Sequence, residues 1–151
     1  MSQDRAGYAI CSILCAVFLD CASAAAAPAN PDPCKLLTAA EVSAAAGVTV
    51  SAGVSAGDGR TCSWSGNHVV VSLWFPDPRI WAATEHPNAM VVQTPAAGIG
   101  DAAFYNSMGN LTSMGVKRGS QGFVVKIYGA SDPSKQKAVE RTLAEHVLAK
   151  M

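Results

Sequence analysis

The chain has no surplus of charge. Its 11 Lys and Arg balance 11 Asp and Glu, and charged residues make up only 15% of the sequence. Nucleic acid needs a basic face, and a membrane-surface helix needs a lysine-rich one. The balance argues against both partners. Lys117-Arg118 is the sole adjacent basic pair and reads as a solvated strand end or turn. Metal and redox spacings are also missing. The sequence contains no Cys-x-x-Cys, no His-Glu-x-x-His and no His-x-His. None of the three histidines, His68, His86 and His146, is assigned to a metal, and no cofactor is expected. Gly115 to Gly122 holds three glycines and Ser120, but not at nucleophile-elbow spacing. Gly98-Ile-Gly-Asp101 lacks the third glycine of a phosphate loop and reads as a tight turn. No local grouping of carboxylates stands out for acid–base work, so no catalytic residue is assigned.

What is present divides the chain. Tyr8 to Leu19 runs YAICSILCAVFL without a charge. A bilayer span needs ~20 residues, so this stretch fits the apolar core of a secretory signal instead. Arg5 is the only positive charge ahead of it, and Asp4 offsets that. Ala22-Ser23-Ala24 matches small-x-small cleavage, and cuts one to three residues later fit equally. Residues 1–27 are read as a signal peptide, 28–32 as a linker and 33–151 as one domain, periplasmic or secreted. Asp20 directly before Cys21 spoils a lipobox, so a lipid anchor is disfavoured. Membrane contact is expected only if the chain is lipidated. Roughly 120 residues then remain, enough for one core.

Cys34 and Cys62 stand alone beyond the apolar stretch. In an exported domain two isolated cysteines read as one disulfide. A loop of that length is worth roughly 3–4 kcal/mol in the chain-entropy account.

Asp32-Pro33 opens a helical turn, since proline fits the first helical position. Thr38-Ala-Ala-Glu41 is a capping box, and Gly47 ends that helix. Val48 to Val54 reads as a short strand. Arg60 to Ser65 alternates, with Cys62 and Trp64 on one face. Gly66-Asn67 reads as a hairpin turn. Val69, Val71, Leu73 and Phe75 share one face of the next strand, with Val70, Ser72 and Trp74 opposite. Arg79 to His86 reads as a short helix and Met90 to Thr94 as a weak strand. A short strand passes through Phe104-Tyr105. Leu111 to Lys117 and Gly122 to Tyr128 form a hairpin, with Phe123, Val125 and Ile127 facing one way. The last helix runs from Ser131-Asp132-Pro133 to about Ala149. Its buried stripe is read as Val139, Leu143 and Val147, joined by Ala138 and Leu148. Short connections predict antiparallel pairing. The fold class is α+β: a twisted antiparallel sheet with helices packed on one face, including a long C-terminal helix. A duplication, with a three-strand meander and a helix in each half, is entertained without sequence identity to support it.

Taken in order, Asp32-Pro33-Cys34 with Leu36-Leu37-Thr38, Glu41-Val42 and Gly47, then Cys62-Ser-Trp64, then Gly98-Ile-Gly-Asp101-Ala-Ala-Phe-Tyr105, and last Leu143-Ala form a pattern over residues 32–149. It resembles the small exported bacterial domains of unknown function found as lipoproteins. The resemblance implies an α+β sheet and the Cys34–Cys62 bridge, and it carries no catalytic residues. The chain departs from that family at the lipobox.

One face of such a sheet is left half open. Trp74, with Trp81 and Tyr105 nearby, is the candidate binding patch. The expected function is a non-enzymatic binding or accessory module, monomeric, for an envelope protein or a small apolar ligand. Two alternatives are kept: a hydrolase whose site is assembled from distant residues, and an inhibitor of a partner enzyme.

Overall fold

The computed structural model describes residues 30–151. The segment read as a signal, with Cys11, Cys15 and Cys21, lies outside the described residues. Seven strands form one antiparallel sheet: β1 (Val54–Ser55), β2 (Thr61–Gly66), β3 (Val69–Trp74), β4 (Val92–Pro95), β5 (Ala102–Met108), β6 (Leu111–Arg118) and β7 (Gln121–Tyr128). Their spatial order is β1-β2-β3-β7-β6-β5-β4. Two meanders therefore meet where β3 pairs β7, placing the two most apolar strands at the centre.

The helices are α1 (Pro33–Leu36), α2 (Ala39–Ala46), α3 (Pro78–Glu85) and α4 (Pro133–Lys150). The chain starts three of them with Asp-Pro: Asp32, Asp77 and Asp132 each accept backbone N–H groups of the first turn. Thr38 and Glu41 complete the capping box of α2. Gly47, at φ 70°, ends it in the left-handed conformation that glycine adopts without strain.

Helices α1, α2 and α4 cover one face, here the inner face. Cys62, Trp64, Val71, Leu73, Phe75, Met114, Val116, Phe123, Val125 and Ile127 are buried there against Leu37, Val42, Leu143 and Val147. The Cys34–Cys62 disulfide, with Cα atoms 5.1 Å apart, ties α1 to β2 inside this layer. Trp64 lies beside it: a Cβ on Gly53 would meet both Cys62 Sγ and the Trp64 ring. The α+β class and the long last helix match the sequence reading.

Several details differ. The strand expected over Val48 to Val54 shrinks to Val54–Ser55. Before it, Ser51 makes one bond to Ser65 and Val50 bonds the Ser43 side chain. The first hairpin turns on Asn67-His68 rather than Gly66-Asn67, both at positive φ, as a tight two-residue turn demands. The buried stripe of α4 is Gln136, Glu140, Leu143, Ala144 and Val147, and Ala138 is exposed. Helix α3 departs from the one-face arrangement and lies across the outer face. Each meander is followed by a helix, but α3 and α4 fall on opposite faces, which limits any duplication to the strands.

Candidate functional site

The outer face is built by the alternate residues of the same strands. Register places Thr61, Ser72, Trp74, Val124, Lys126, Tyr128, Ser113, Phe104 and Asn106 there. Two strand glycines admit α3 to this face. A Cβ on Gly122 would sit 2.3 Å from the Trp81 ring, and one on Gly115 2.5 Å from the Phe104 ring. With hydrogen in both places, the aromatic rings lie against the strands themselves. Trp81 and Phe104 then pack 5.8 Å apart, with Val124 beneath and Trp74 alongside. Polar pins hold the far end of α3: Gln93 and Asn106 both donate to the Thr84 carbonyl, and Gln93 donates to Asn106 as well.

Between α3 with its following loop and the open part of the sheet lies a groove of about 780 Å³. That volume is in the range of small-molecule sites. Trp74, Val124, Met108, Leu111 and Tyr128 supply its apolar surface, and His86, Pro87 and Asn88 rim it. Met108, Leu111 and Tyr128 are all exposed. Lys126 is the groove's lysine, its ammonium 4.6 Å from the centre of the Tyr128 ring. Among the described residues, no Asp or Glu lines the groove.

The floor of the groove is a fork in the sheet. The β6–β7 ladder stops at Met114–Val125, although β6 stays paired to β5 as far as Leu111 and β7 to β3 as far as Tyr128. Two polar side chains of α4 fill the fork, and Gln136 answers its unpaired backbone. Gln136 Oε1 accepts from the Thr112 N–H and hydroxyl, both at 3.0 Å. Gln136 Nε2 donates to the carbonyls of Asn110 and Ala130. Glu140 Oε1 lies 3.0 Å from the same Thr112 hydroxyl, and Glu140 Oε2 has no partner. Thr112 has one hydroxyl hydrogen and two acceptors. A protonated Glu140 removes the conflict by donating to Thr112, which then donates to Gln136. Burial pushes the Glu140 carboxyl up to about 7, against the pull of Thr112, the Ile127 amide, Lys126 and Lys137.

The three aromatic residues read as one patch are divided. Trp74 lines the groove, half-buried. Trp81 is on the same face but buried under α3, supporting the wall. Tyr105 is on the inner face. Its register partner there is Met114, its hydroxyl donates to the Lys137 carbonyl, and the Lys137 ammonium sits 5.3 Å over its ring. Alternation along β5 separates Tyr105 from Phe104, so Phe104 is the neighbour of Trp81. The sequence reading missed Lys126, Tyr128, Met108 and Leu111. The alternation of β7 carries a signal for the first two, since Lys126 and Tyr128 share a face opposite Phe123, Val125 and Ile127.

The histidines are scattered. His68 is at the first hairpin turn, His86 caps α3 at the groove rim, and His146 lies 3.7 Å from Glu41 on the helical side. Among the described residues no three His, Cys, Asp or Glu side chains converge as a metal site. One motif went unread: Gly53-Val-Ser-Ala-Gly57 has the spacing of a nucleophile elbow. Here Ser55 is exposed on the edge strand β1, donates to the neighbouring Ala56 carbonyl and is followed by a turn. An elbow needs a strained turn at the serine, between a strand and a helix, whereas here Ser55 lies within the strand and the next element is β2. No helix among the described residues is long and apolar enough to cross a membrane. Comparison with family models, with curated proteins and with solved structures finds no match.

Proposed function

We propose that this is an exported, non-catalytic binding module that holds a small, mainly apolar ligand in the outer groove. The observation that carries this reading is the pairing of a groove of about 780 Å³ with exposed apolar side chains at its mouth. Monomeric domains seldom leave a contiguous apolar surface without use. Export is supported by the apolar segment Tyr8 to Leu19 and by the Cys34–Cys62 disulfide, which belongs to an oxidising compartment. The likeness to exported lipoprotein-type domains points the same way. These support the reading of a periplasmic or secreted location.

The test is fluorescence titration with N-phenylnaphthylamine, a neutral apolar probe, on the disulfide-bonded protein. Saturable binding at one site, weakened at least tenfold by Trp74→Ala in a protein that still melts cooperatively, supports the reading. An unchanged affinity in Trp74→Ala removes the groove from consideration. Ester or amide turnover abolished by a His86 substitution favours the hydrolase alternative instead.

A further inference from the structure

The charge layout of the groove narrows its ligand. Among the described residues, Lys126 is the only Lys or Arg in the lining, and no carboxylate lines it. Among the described residues, the ion pairs engage Lys35, Lys117, Arg141, His146 and Lys150, but not Lys126. Its contact is the Tyr128 ring, which positions an ammonium without neutralising it. Glu140, whose field reaches Lys126, stands on the inner side of the sheet and keeps its proton up to about pH 7. Ser72 is the strand partner of Lys126, and both line the groove, so a hydroxyl donor is beside the cation. Trp74, Val124, Met108 and Leu111 supply the apolar part of the lining, and its other polar members, such as Ser113 and Asn106, carry no charge.

We propose that the ligand is a single-tailed amphiphile with an anionic head, a carboxylate or phosphate. The head sits on Lys126, and the tail lies along Trp74, Val124, Met108 and Leu111. This rests on the groove reading above and adds the chemistry of the head. A half-buried ammonium facing an apolar trough gains little from a neutral ligand. A charge-assisted contact to a carboxylate or phosphate oxygen adds selectivity that apolar contact lacks. A cationic head meets repulsion and has no counter-charge in the lining.

Displacement of bound N-phenylnaphthylamine tests this. Dodecanoate, dodecyl phosphate, dodecanol and dodecyltrimethylammonium share one tail and differ in the head. Both or either of the anions should displace the probe at a concentration roughly tenfold or more below that of the alcohol, with the cation weakest. The stronger of the two anions identifies the head. Lys126→Met should erase the difference between anion and alcohol, read as the ratio of their displacing concentrations in the same variant, and Lys126→Arg should keep it. Equal displacement by dodecanol and both anions overturns the anionic head but leaves the groove standing. Absence of any probe binding to the wild type overturns both.

Discussion

The two faces of the sheet are made by the same strands, residue by alternate residue, yet they do different work. On the inner face every large side chain of the central strands is covered: Trp64, Leu73, Phe75, Phe123 and Ile127 are all at most 1% exposed. Three helices and a disulfide close that layer. The outer face has one helix of eight residues. Trp81, Phe104 and Val124 are covered by it, while Trp74, Tyr128 and Leu111 remain within reach of solvent. Two glycines make the difference. Side chains at positions 115 and 122 would fill the places that Phe104 and Trp81 occupy, and α3 would have no seat. On the proposed function, stability resides on one side and recognition on the other, and substitutions should separate the two.

Phe123→Ala should show the largest effect. Phe123 is fully buried and packs 5.8 Å from Phe75, so truncation should cost about 3–5 kcal/mol. Trp74→Ala, across the sheet, should cost only about 1 kcal/mol, because that ring is only half-buried. Urea unfolding of both variants checks the contrast. Equal losses would mean that the outer face is part of the core.

Removing the bridge sharpens the same comparison. Cys34→Ser with Cys62→Ser should lower stability by roughly 3–4 kcal/mol, since the loop it closes spans 28 positions. Ligand affinity measured well below the melting temperature should be unchanged, because the bridge sits in the inner layer. A parallel loss of affinity would show that the faces are coupled.

The fork links the two faces, and it should respond to pH. Burial raises the Glu140 carboxyl to about 7, against 4.5 for an ordinary glutamate. Its raised value means that the native state binds the proton more tightly than the unfolded chain. Stability from this group is full below about pH 4.5, falls as pH rises toward 7 and is lost above it, by a total on the order of 3 kcal/mol. Glu140→Gln keeps an uncharged side chain there and should flatten the curve across that window. Glu41 acts with the opposite sign. The Lys150 ammonium, followed by the Thr38 amide, holds its carboxyl down to about 2, so its contribution is present above pH 4.5 and lost as pH falls toward 2. Urea midpoints measured across this range in the wild type and Glu140→Gln separate the two. An unchanged slope between pH 5 and 7 in Glu140→Gln would remove Glu140 as the source.

Much of the fold was legible. The alternation of Val69 to Phe75 and of Phe123 to Ile127, the Thr38–Glu41 capping box and the Asp132-Pro133 helix start all read directly, because each is local. What was hidden is non-local. The stripe of α4 was read as Val139, Leu143 and Val147 with Ala138 and Leu148; Leu143 and Val147 are buried, but in its first half the helix buries Gln136 and Glu140. Their role depends on the backbone that the β6–β7 fork leaves unpaired, and a periodicity cannot register that need. Trp74 was legible as an outer-face residue from alternation alone. The place of Trp81 was not, since the face taken by α3 depends on Gly122, a residue distant in sequence.

Gly122→Ala tests that last dependence with the smallest change, a single methyl. The added Cβ would stand 2.3 Å from the Trp81 ring, closer than any relaxed contact. Since Trp81 is wedged between Phe104 and the strand, it cannot rotate away without lifting α3. Overpacking of this kind costs about 1–3 kcal/mol, less than the inner-face losses. The effect on the groove should nevertheless be large, because α3 and the loop after it carry Thr84, His86 and Asn88 along one wall. Affinity for the neutral probe should fall at least as far as in Trp74→Ala, while Phe123 and its inner-face neighbours keep their native side-chain NMR shifts. If the groove kept its affinity, α3 would be a bystander and the wall would have to be held by β4 and β5 alone.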